Sequence, residues 1–288
     1  MSCGRKFIAA CVQLCSGADQ ADNIRRASEM IRRAAGYGAL LVCTPENTPF
    51  LGPSYHKIDM GEFTEGPSVG AGSIVKVFSE LAAELRIHLV LGSMTEAVEL
   101  ADGSKSRDKC YNTSVLFGPG GEMLAKYRKI HLFDVAVKNG PTFKESSFIL
   151  PGEELVTCAT EVGNLGLSIC YDLRFAEMYT NLVRKGANVI CVPSAFTAMT
   201  GKDHWRPLLQ ARAIETQCWV LAPGQWGVHD EKGTRQSYGH SMIIDPWGCV
   251  VAEKGDGEGL ALAEIDLDRI DDVREGIPVQ SHRRLSLA

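Results

Sequence analysis

The chain reads as an α/β protein, a four-layer α-β-β-α sandwich of two mixed sheets with helices outside. Three observations predict it. Short apolar runs alternate with segments of helical period along the whole chain. The chain divides into two halves that share a β-α-β-α-β order, each closed by a hairpin signal. No linker, low-complexity segment or short-period repeat separates the halves. Two mixed sheets, each with one face to bury, stack on one another and take their helices on the outer faces. A chain of 288 residues with 45% apolar content can bury such a core within one domain spanning 1–288.

Taken in order, residues 7–14 form a first strand, followed by a helix over 22–35 with Ile24, Ala27, Ile31 and Ala34 on one face. Gly36 and Gly38 stop that helix, and a strand over 40–44 follows. A helix over 68–85 leads into a strand over 89–94. Strands over 110–117 and 123–128 flank Gly118-Pro119-Gly120-Gly121, which marks a hairpin. In the second half, strands fall at 156–160, 165–169, 189–192 and 219–222, with helices at 175–185 and 205–216. A second hairpin joins 239–244 to 250–253 through Asp245-Pro246-Trp247-Gly248, and a strand over 260–265 and a helix over 267–274 finish the fold. One long irregular stretch, 131–151, remains, and a loop that long inside a compact domain is usually functional.

Charged residues make up 23% of the chain and the formal net charge is −5, with both signs mixed along its length. Neither nucleic acid nor a membrane surface is expected as a partner. No run approaches the roughly 18 apolar residues of a membrane span, and the N-terminal apolar run is too short for a signal sequence. Most of the ten cysteines sit singly in apolar runs (Cys11, Cys43, Cys158, Cys191, Cys218, Cys249), as small core residues do. No C-x-x-C pair supports a zinc or redox site. All but one are therefore expected as structural thiols in a reducing, cytoplasmic setting, where the sequon Asn112-Thr113-Ser114 carries no glycan.

Four positions stand out chemically. The strand over 165–169 runs into Cys170-Tyr171-Asp172-Leu173-Arg174 and then a helix, which puts a thiol at the carboxyl end of a strand, where α/β folds bind ligands. N–H groups at the start of a helix can favour the thiolate and hold an oxyanion. The strand over 40–44 ends at Pro45 and presents Glu46; in a dry crevice its pKa is expected to rise, suiting a general base near neutral pH. Lys129, at the end of the first hairpin, can supply a cation beside the thiol, and Glu145 in the long loop can hold that lysine by a charge pair. Each has a plainer reading alone: a core cysteine, a solvated carboxylate, a solvated lysine. Together they form a complete set for acyl transfer to a thiol.

The stretches carrying these residues, TPEN, YRKIHLFD, TFKES and SICYDLRF, resemble the nitrilase superfamily. The resemblance continues through VPSAFT, HWRPLLQARAIETQC, SYGHSMIIDPWG and IPVQSHRR, covering nearly the whole chain in order. It is greatest to the Nit1-type branch, the deaminated glutathione amidases. Ala176 departs from the usual proline of that branch and is shared with omega-amidases, and Pro223-Gly224-Gln225-Trp226 replaces a run of small residues. The resemblance implies a Glu46–Lys129–Cys170 triad supported by Glu145, a thioester intermediate, an oxyanion held by Lys129 and the Tyr171 N–H, no metal or organic cofactor, and a homodimer or higher homo-oligomer. Arg174 is a candidate anchor for a substrate carboxylate, against a structural pairing with Asp172 or Glu177. Phe196 and Thr197 are candidate pocket residues, and the C-terminal strand with the tail from 277 to 288 is a candidate subunit contact.

Other readings are weighed against this one. A papain-like pair through His131, His204 or His240 competes with a base and a cation already supplied by Glu and Lys. An interaction protein on the same scaffold would have no need of all three triad residues. Within the enzyme class, the small-molecule substrate is a carboxylate-bearing amide, with an omega-amide, an N-carbamoyl amino acid or a nitrile as the alternative.

Overall fold

The computed structural model describes residues 5–66, 69–70, 72–136 and 142–285. In chain order the elements of the first half are β1 (Lys6–Gln13), α1 (Gln20–Gly36), β2 (Ala39–Cys43), α2 (Lys57–Met60), α3 (Ile74–Leu85), β3 (His88–Glu99), β4 (Lys105–Phe117), β5 (Met123–Arg128), β6 (Asp134–Ala136) and β7 (Thr142–Lys144). The second half comprises β8 (Thr157–Thr160), β9 (Gly163–Leu167), α4 (Ala176–Arg184), β10 (Val189–Cys191), α5 (Ala198–Thr216), β11 (Trp219–Ala222), β12 (Trp226–Val228), β13 (Gln236–Tyr238), β14 (Met242–Ile244), β15 (Val250–Glu253), β16 (Gly259–Asp266), α6 (Asp268–Gly276) and α7 (Val279–His282).

Two six-stranded mixed sheets result, ordered β16-β1-β2-β3-β4-β5 and β15-β14-β11-β10-β9-β8. β1, β2 and β3 run parallel, as do β9, β10 and β11. Period-two alternation sorts their side chains between two cores. Ala10, Val12 and Val42 face the helices and pack with Ala27, Ile31 and Phe78. Ala9, Cys11, Leu41 and Cys43 face the opposite sheet and pack with Leu165, Leu167, Val189 and Cys191. Cys43 Sγ lies 3.8 Å from Cys191 Sγ across the two sheets. Both faces of β10 and β11 are thus buried and apolar, which is why those strands read as continuous hydrophobic runs.

The architecture matches the sequence expectation, and several local readings need correction. The long stretch is not wholly irregular: β6 and β7 pair as a two-stranded ribbon, followed by a 3-10 turn over Glu145–Ser147. β12 and β13 form another unexpected ribbon. Helix α5 starts at Ala198, seven residues earlier than expected, and continues through Pro207. Its polar GKDH stretch imitates a loop, while Gly201 is there for a close approach, since a Cβ would lie 2.3 Å from Tyr238 Cβ. The expected strand over 239–244 is only Met242–Ile244, because Gly239 (φ 74°) and His240 (φ 54°) turn the chain in the left-handed region. α3 begins at Ile74, capped by Ser73, and the expected start at Ser68 lies outside the described residues. Cys158 is half-buried and Cys249 exposed, so neither is a core thiol.

β16 pairs antiparallel with β1 and buries Ala261 and Ile265, so the apolarity of this strand is accounted for within the chain. The described part of the tail folds back onto the end of α5. There Gln217 Nε2 donates to Ile277 O (2.6 Å) and Arg283 Nη2 to Glu215 O (2.9 Å).

One buried carboxylate stitches the β3–β4–β5 face. Glu96 accepts from Arg128 Nε (2.9 Å) and Nη2 (2.8 Å), Thr113 Oγ1 (2.6 Å), Thr64 Oγ1 (3.0 Å) and Lys126 Nζ (3.1 Å). Burial would raise its pKa, but Arg128, Thr113 and Lys126 together hold it down to about 2. Stability from this group is therefore full above the ordinary carboxylate pKa and lost as pH falls through the folded value. A shift of that size is worth up to about 3 kcal/mol. Glu96→Gln is expected to cost about 2–4 kcal/mol in denaturant unfolding at pH 7, with the gap from wild type narrowing between about pH 4.5 and pH 2. A gap independent of pH would assign the loss to packing instead.

Candidate active site

The carboxyl ends of β2, β9 and β10 meet where the two sheets face each other. After β9, Ser168 continues the strand by donating to Cys191 O (3.2 Å), and Cys170 N–H donates to Pro193 O (2.9 Å). Cys170 itself sits at φ 50°, left-handed backbone that costs a non-glycine residue of order 1 kcal/mol or more. Asp172 holds that turn. Its fully buried carboxylate accepts from Ile169 N–H (2.8 Å), Tyr127 Oη (2.7 Å), His131 N–H (3.1 Å) and His131 Nδ1 (2.7 Å). One carboxylate thus fixes the Cys170 turn and the residues on both sides of Lys129.

Glu46 follows β2 on a segment pressed against β3. A Cβ on Gly92 would lie 1.9 Å from Thr44 O, so only glycine allows this approach. Asn47, at φ 57°, turns the chain immediately after. The Glu46 carboxylate, 3% exposed as a residue, accepts from Lys129 Nζ (3.0 Å), Asn112 Nδ2 (2.9 Å) and the Ala195 N–H of the other half (2.9 Å). Lys129, 2% exposed, also donates to Glu145 Oε2 (2.9 Å) and Oε1 (3.2 Å). Glu145 is fixed by the Phe133 N–H (2.7 Å) and by Asn112 Nδ2 (3.3 Å).

The structure therefore brings together Glu46, Lys129, Glu145 and Cys170, with the charges distributed differently from the sequence expectation. Burial would raise the Glu46 pKa, but the charge and hydrogen bond of Lys129, with help from Lys57, lower it to about 2 instead. The Cys170 thiol is pushed well up by burial and then by the Glu46 carboxylate, against the pull of Lys129. Burial would lower Lys129, and Glu145 and Glu46 more than reverse it. The resting arrangement is a neutral thiol beside a carboxylate and an ammonium. Moving the thiol proton to Glu46 leaves the net charge of the cluster unchanged, whereas losing it to solvent would bury an additional anion. Cys170 as a residue is 8% exposed, so the turn is buried but not sealed from solvent.

Among the described residues the Tyr171 N–H meets no protein acceptor. Arg174 pairs with neither Asp172 nor Glu177; its guanidinium lies over Phe196 (5.1 Å) and Tyr171 (6.0 Å), 3.4 Å from His204 Nδ1. Phe196 is buried against Trp205, and Thr197 precedes α5 with its Oγ1 2.8 Å from Thr200 Oγ1. His131 is bound to Asp172 and His240 to Glu253, while His204 lies beside Arg174. Sequence reasoning did not single out Asn112, Lys57, Arg235 or the structural role of Asp172. Asn112 reads as an idle sequon, and it reaches Glu46 only because Lys129 N–H pairs with Asn112 O (2.9 Å) across β4 and the end of β5.

A family model described as carbon-nitrogen hydrolase matches residues 8–275. The chain is 43% identical to a deaminated glutathione amidase of Synechocystis over 97% of this chain and 98% of that protein. It is 40% identical to the human deaminated glutathione amidase over 99% of this chain and 84% of the human one. Among solved structures, the C. elegans NitFhit protein superposes with a TM-score of 0.86 at 38% identity, covering 99% of this chain and 66% of that longer one. Saccharomyces cerevisiae Nit3, a member of branch 10 of the nitrilase superfamily, gives a TM-score of 0.84 at 33% identity, with 97% of both chains covered.

The opposing shifts of Glu46 and Cys170 have a measurable consequence. Glu46→Gln removes the anion that raises the thiol and leaves Lys129 in place. Site-resolved alkylation of Cys170, followed against pH by peptide mass mapping, is expected to begin at least about one pH unit lower in the variant. An onset that stays put would mean that the Glu46 charge does not act on this thiol, and one that moves up would mean that proton acceptance by Glu46 outweighs its charge.

Proposed function

This chain belongs to the carbon-nitrogen hydrolase family, and from that premise we propose that it hydrolyses a small carboxylate-bearing amide of the deaminated glutathione type, with Cys170 as nucleophile. The observation that carries the reading is the buried Lys129 ammonium, clamped between Glu46 and Glu145 beside a strained Cys170. Sγ of Cys170 attacks the amide carbon while its proton passes to Glu46. The negative charge that leaves Glu46 reappears on the carbonyl oxygen, where Lys129 and the Tyr171 N–H receive it. Lys129 then neutralises Glu46 less, so the carboxyl becomes a better proton acceptor as the attack proceeds. Collapse of the adduct breaks the C–N bond, and Glu46 gives its proton to the departing nitrogen. Water, deprotonated by Glu46, attacks the thioester, and the sulfur leaves with a proton returned by Glu46. Glu145 and Asn112 keep Lys129 and Glu46 in place throughout, and Arg174, over Phe196 and Tyr171, is a candidate anchor for a substrate carboxylate. The protein-side proton inventory of this cycle needs no metal or organic cofactor.

The reading includes self-association in the cytoplasm. Trp247 and Ile214 are both exposed, and Gly248 lies against the Ile214 side chain; exposed apolar side chains on neighbouring segments favour contact with a second copy of the chain.

The test is a panel of deaminated glutathione, α-ketoglutaramate, carbamoyl amino acids and nitriles, run beside Cys170→Ala. Turnover of deaminated glutathione is expected, falling at least about 10³-fold in the variant. Preference for a carbamoyl compound or a nitrile would retain the nucleophile and overturn the substrate; full activity in the variant would overturn the nucleophile.

A further inference from the structure

Two cations near this site take no part in the proton transfers of that cycle. Lys57, in α2, is 3% exposed, yet its ammonium has a single neutral partner, Asn47 Oδ1 at 2.6 Å, and lies 5.9 Å from the centre of the Phe148 ring. Among the described residues no carboxylate comes within ion-pair distance of it, and two of its three N–H donors are left over. Arg235, half-buried in the turn before β13, donates from Nη1 to Gly52 O (3.1 Å), and its other side-chain N–H groups meet no protein acceptor among the described residues. Both cations lie in the field of Glu46 and Glu145, and Arg235 also in that of Cys170.

The charge balance makes these groups informative. Lys57 is acted on by two carboxylates, Glu46 and Glu145, and by two cations, Lys129 and Arg235, so with its own charge this group holds three positive charges against two negative. Asp230 also acts on Arg235, but it does so from the solvent side, with its oxygens taken by Thr234 and the Arg235 N–H. A buried, unpaired ammonium is costly unless an anion completes it. Burial, with Arg235 adding to it, draws Lys57 down to about 8, so it stays mostly protonated at neutral pH.

We propose that Lys57 and Arg235 form an anion subsite that holds a carboxylate of the substrate a few bonds from the scissile carbonyl. The subsite selects acidic amides over neutral ones and is separate from Arg174. This assignment rests on the hydrolase reading above, and it adds the group that recognises the charged end. Asn47 positions the subsite, because its left-handed backbone follows Glu46 directly and its side chain holds Lys57. The carboxylate that binds would bring the local charge to zero and fill the vacant donors of both side chains.

The test measures binding separately from turnover. In the Cys170→Ala background, calorimetry would follow the ω-amides of four- to six-carbon dicarboxylic acids and the alkyl amides of matching length. Lys57→Met and Arg235→Gln are each expected to weaken the acidic amides about 10- to 100-fold, the range spanned by a charge-assisted hydrogen bond. The neutral amides should bind as before. Equal weakening of both classes, or weakening of the acidic class by Arg174→Gln alone, would overturn the subsite. Should Lys57→Met fail to fold, Arg235→Gln decides the matter, since this side chain is half-buried and held by one backbone carbonyl. Turnover by otherwise wild-type protein, compared with Cys170→Ala, reports separately on the hydrolase reading.

Discussion

The Lys129 ammonium between Glu46 and Glu145 is the interaction on which the rest of the site depends. Burying a lysine this deeply is costly unless its charge is met and its donors are filled, and removing one member of such a group costs about 3–5 kcal/mol. Meeting that demand requires four pieces of chain to converge. Glu46 comes from the end of β2, Lys129 from the end of β5, Glu145 from the turn after β7, and Asn112 from β4. Glu46 also reaches the second half, taking the Ala195 N–H on its carboxylate and Gln225 Nε2 on its backbone oxygen (3.0 Å). The same carboxylate therefore organises the site and ties the two sheets together at their carboxyl ends.

This arrangement explains why a thiol of raised pKa is compatible with nucleophilic catalysis. A free thiolate would be more reactive at rest, but it would bury a second anion beside Glu46. Keeping the proton within the cluster avoids that cost until a carbonyl oxygen is present to take the charge. Asp172 enforces the geometry from below. Because it binds Ile169, Tyr127 and His131 at once, the Cys170 turn and the Lys129 strand end cannot shift independently. The left-handed backbone at Cys170 is thus held by a buried carboxylate with no surface alternative.

Much of the fold is legible in the sequence because both faces of the central strands are buried. Runs such as Leu41-Val42-Cys43 and Val189-Ile190-Cys191-Val192 identify strands without knowledge of their partners. The three-residue strands β6, β7, β12 and β13 are too short to carry any period, and the first turns of α5 hide behind polar residues and Gly201. Glu46, Lys129 and Cys170 can be picked out because each follows a recognisable strand. The direction of the Glu46 pKa could not be read, since it depends on a lysine 83 positions away in sequence and 3.0 Å away in space. Lys57 and Arg235 are invisible for a related reason: a lysine in a polar stretch reads as solvated until the fold shows its ammonium enclosed. Asn47 gives no hint that its side chain fixes Lys57, because its left-handed backbone appears only with the structure.

The two halves contribute unequal parts to the site. The first half supplies the acid–base and cationic groups, Glu46, Lys57, Lys129 and Glu145, while the second supplies Cys170, the Ala195 N–H and Arg235. Neither half alone contains both the Cys170 thiol and the Glu46 carboxylate. The apolar interface between the sheets, with Cys43 against Cys191 and Leu41 and Ala9 against Leu165 and Leu167, is what fixes their relative position. Such a core holds side chains to fractions of an ångström because it is close-packed. Proton transfer between Cys170 and Glu46 tolerates little more displacement than that. The stacked sheets thus set the distance between the Cys170 thiol and the Glu46 carboxylate, so stability of the core and competence for the proposed proton transfer are the same physical requirement.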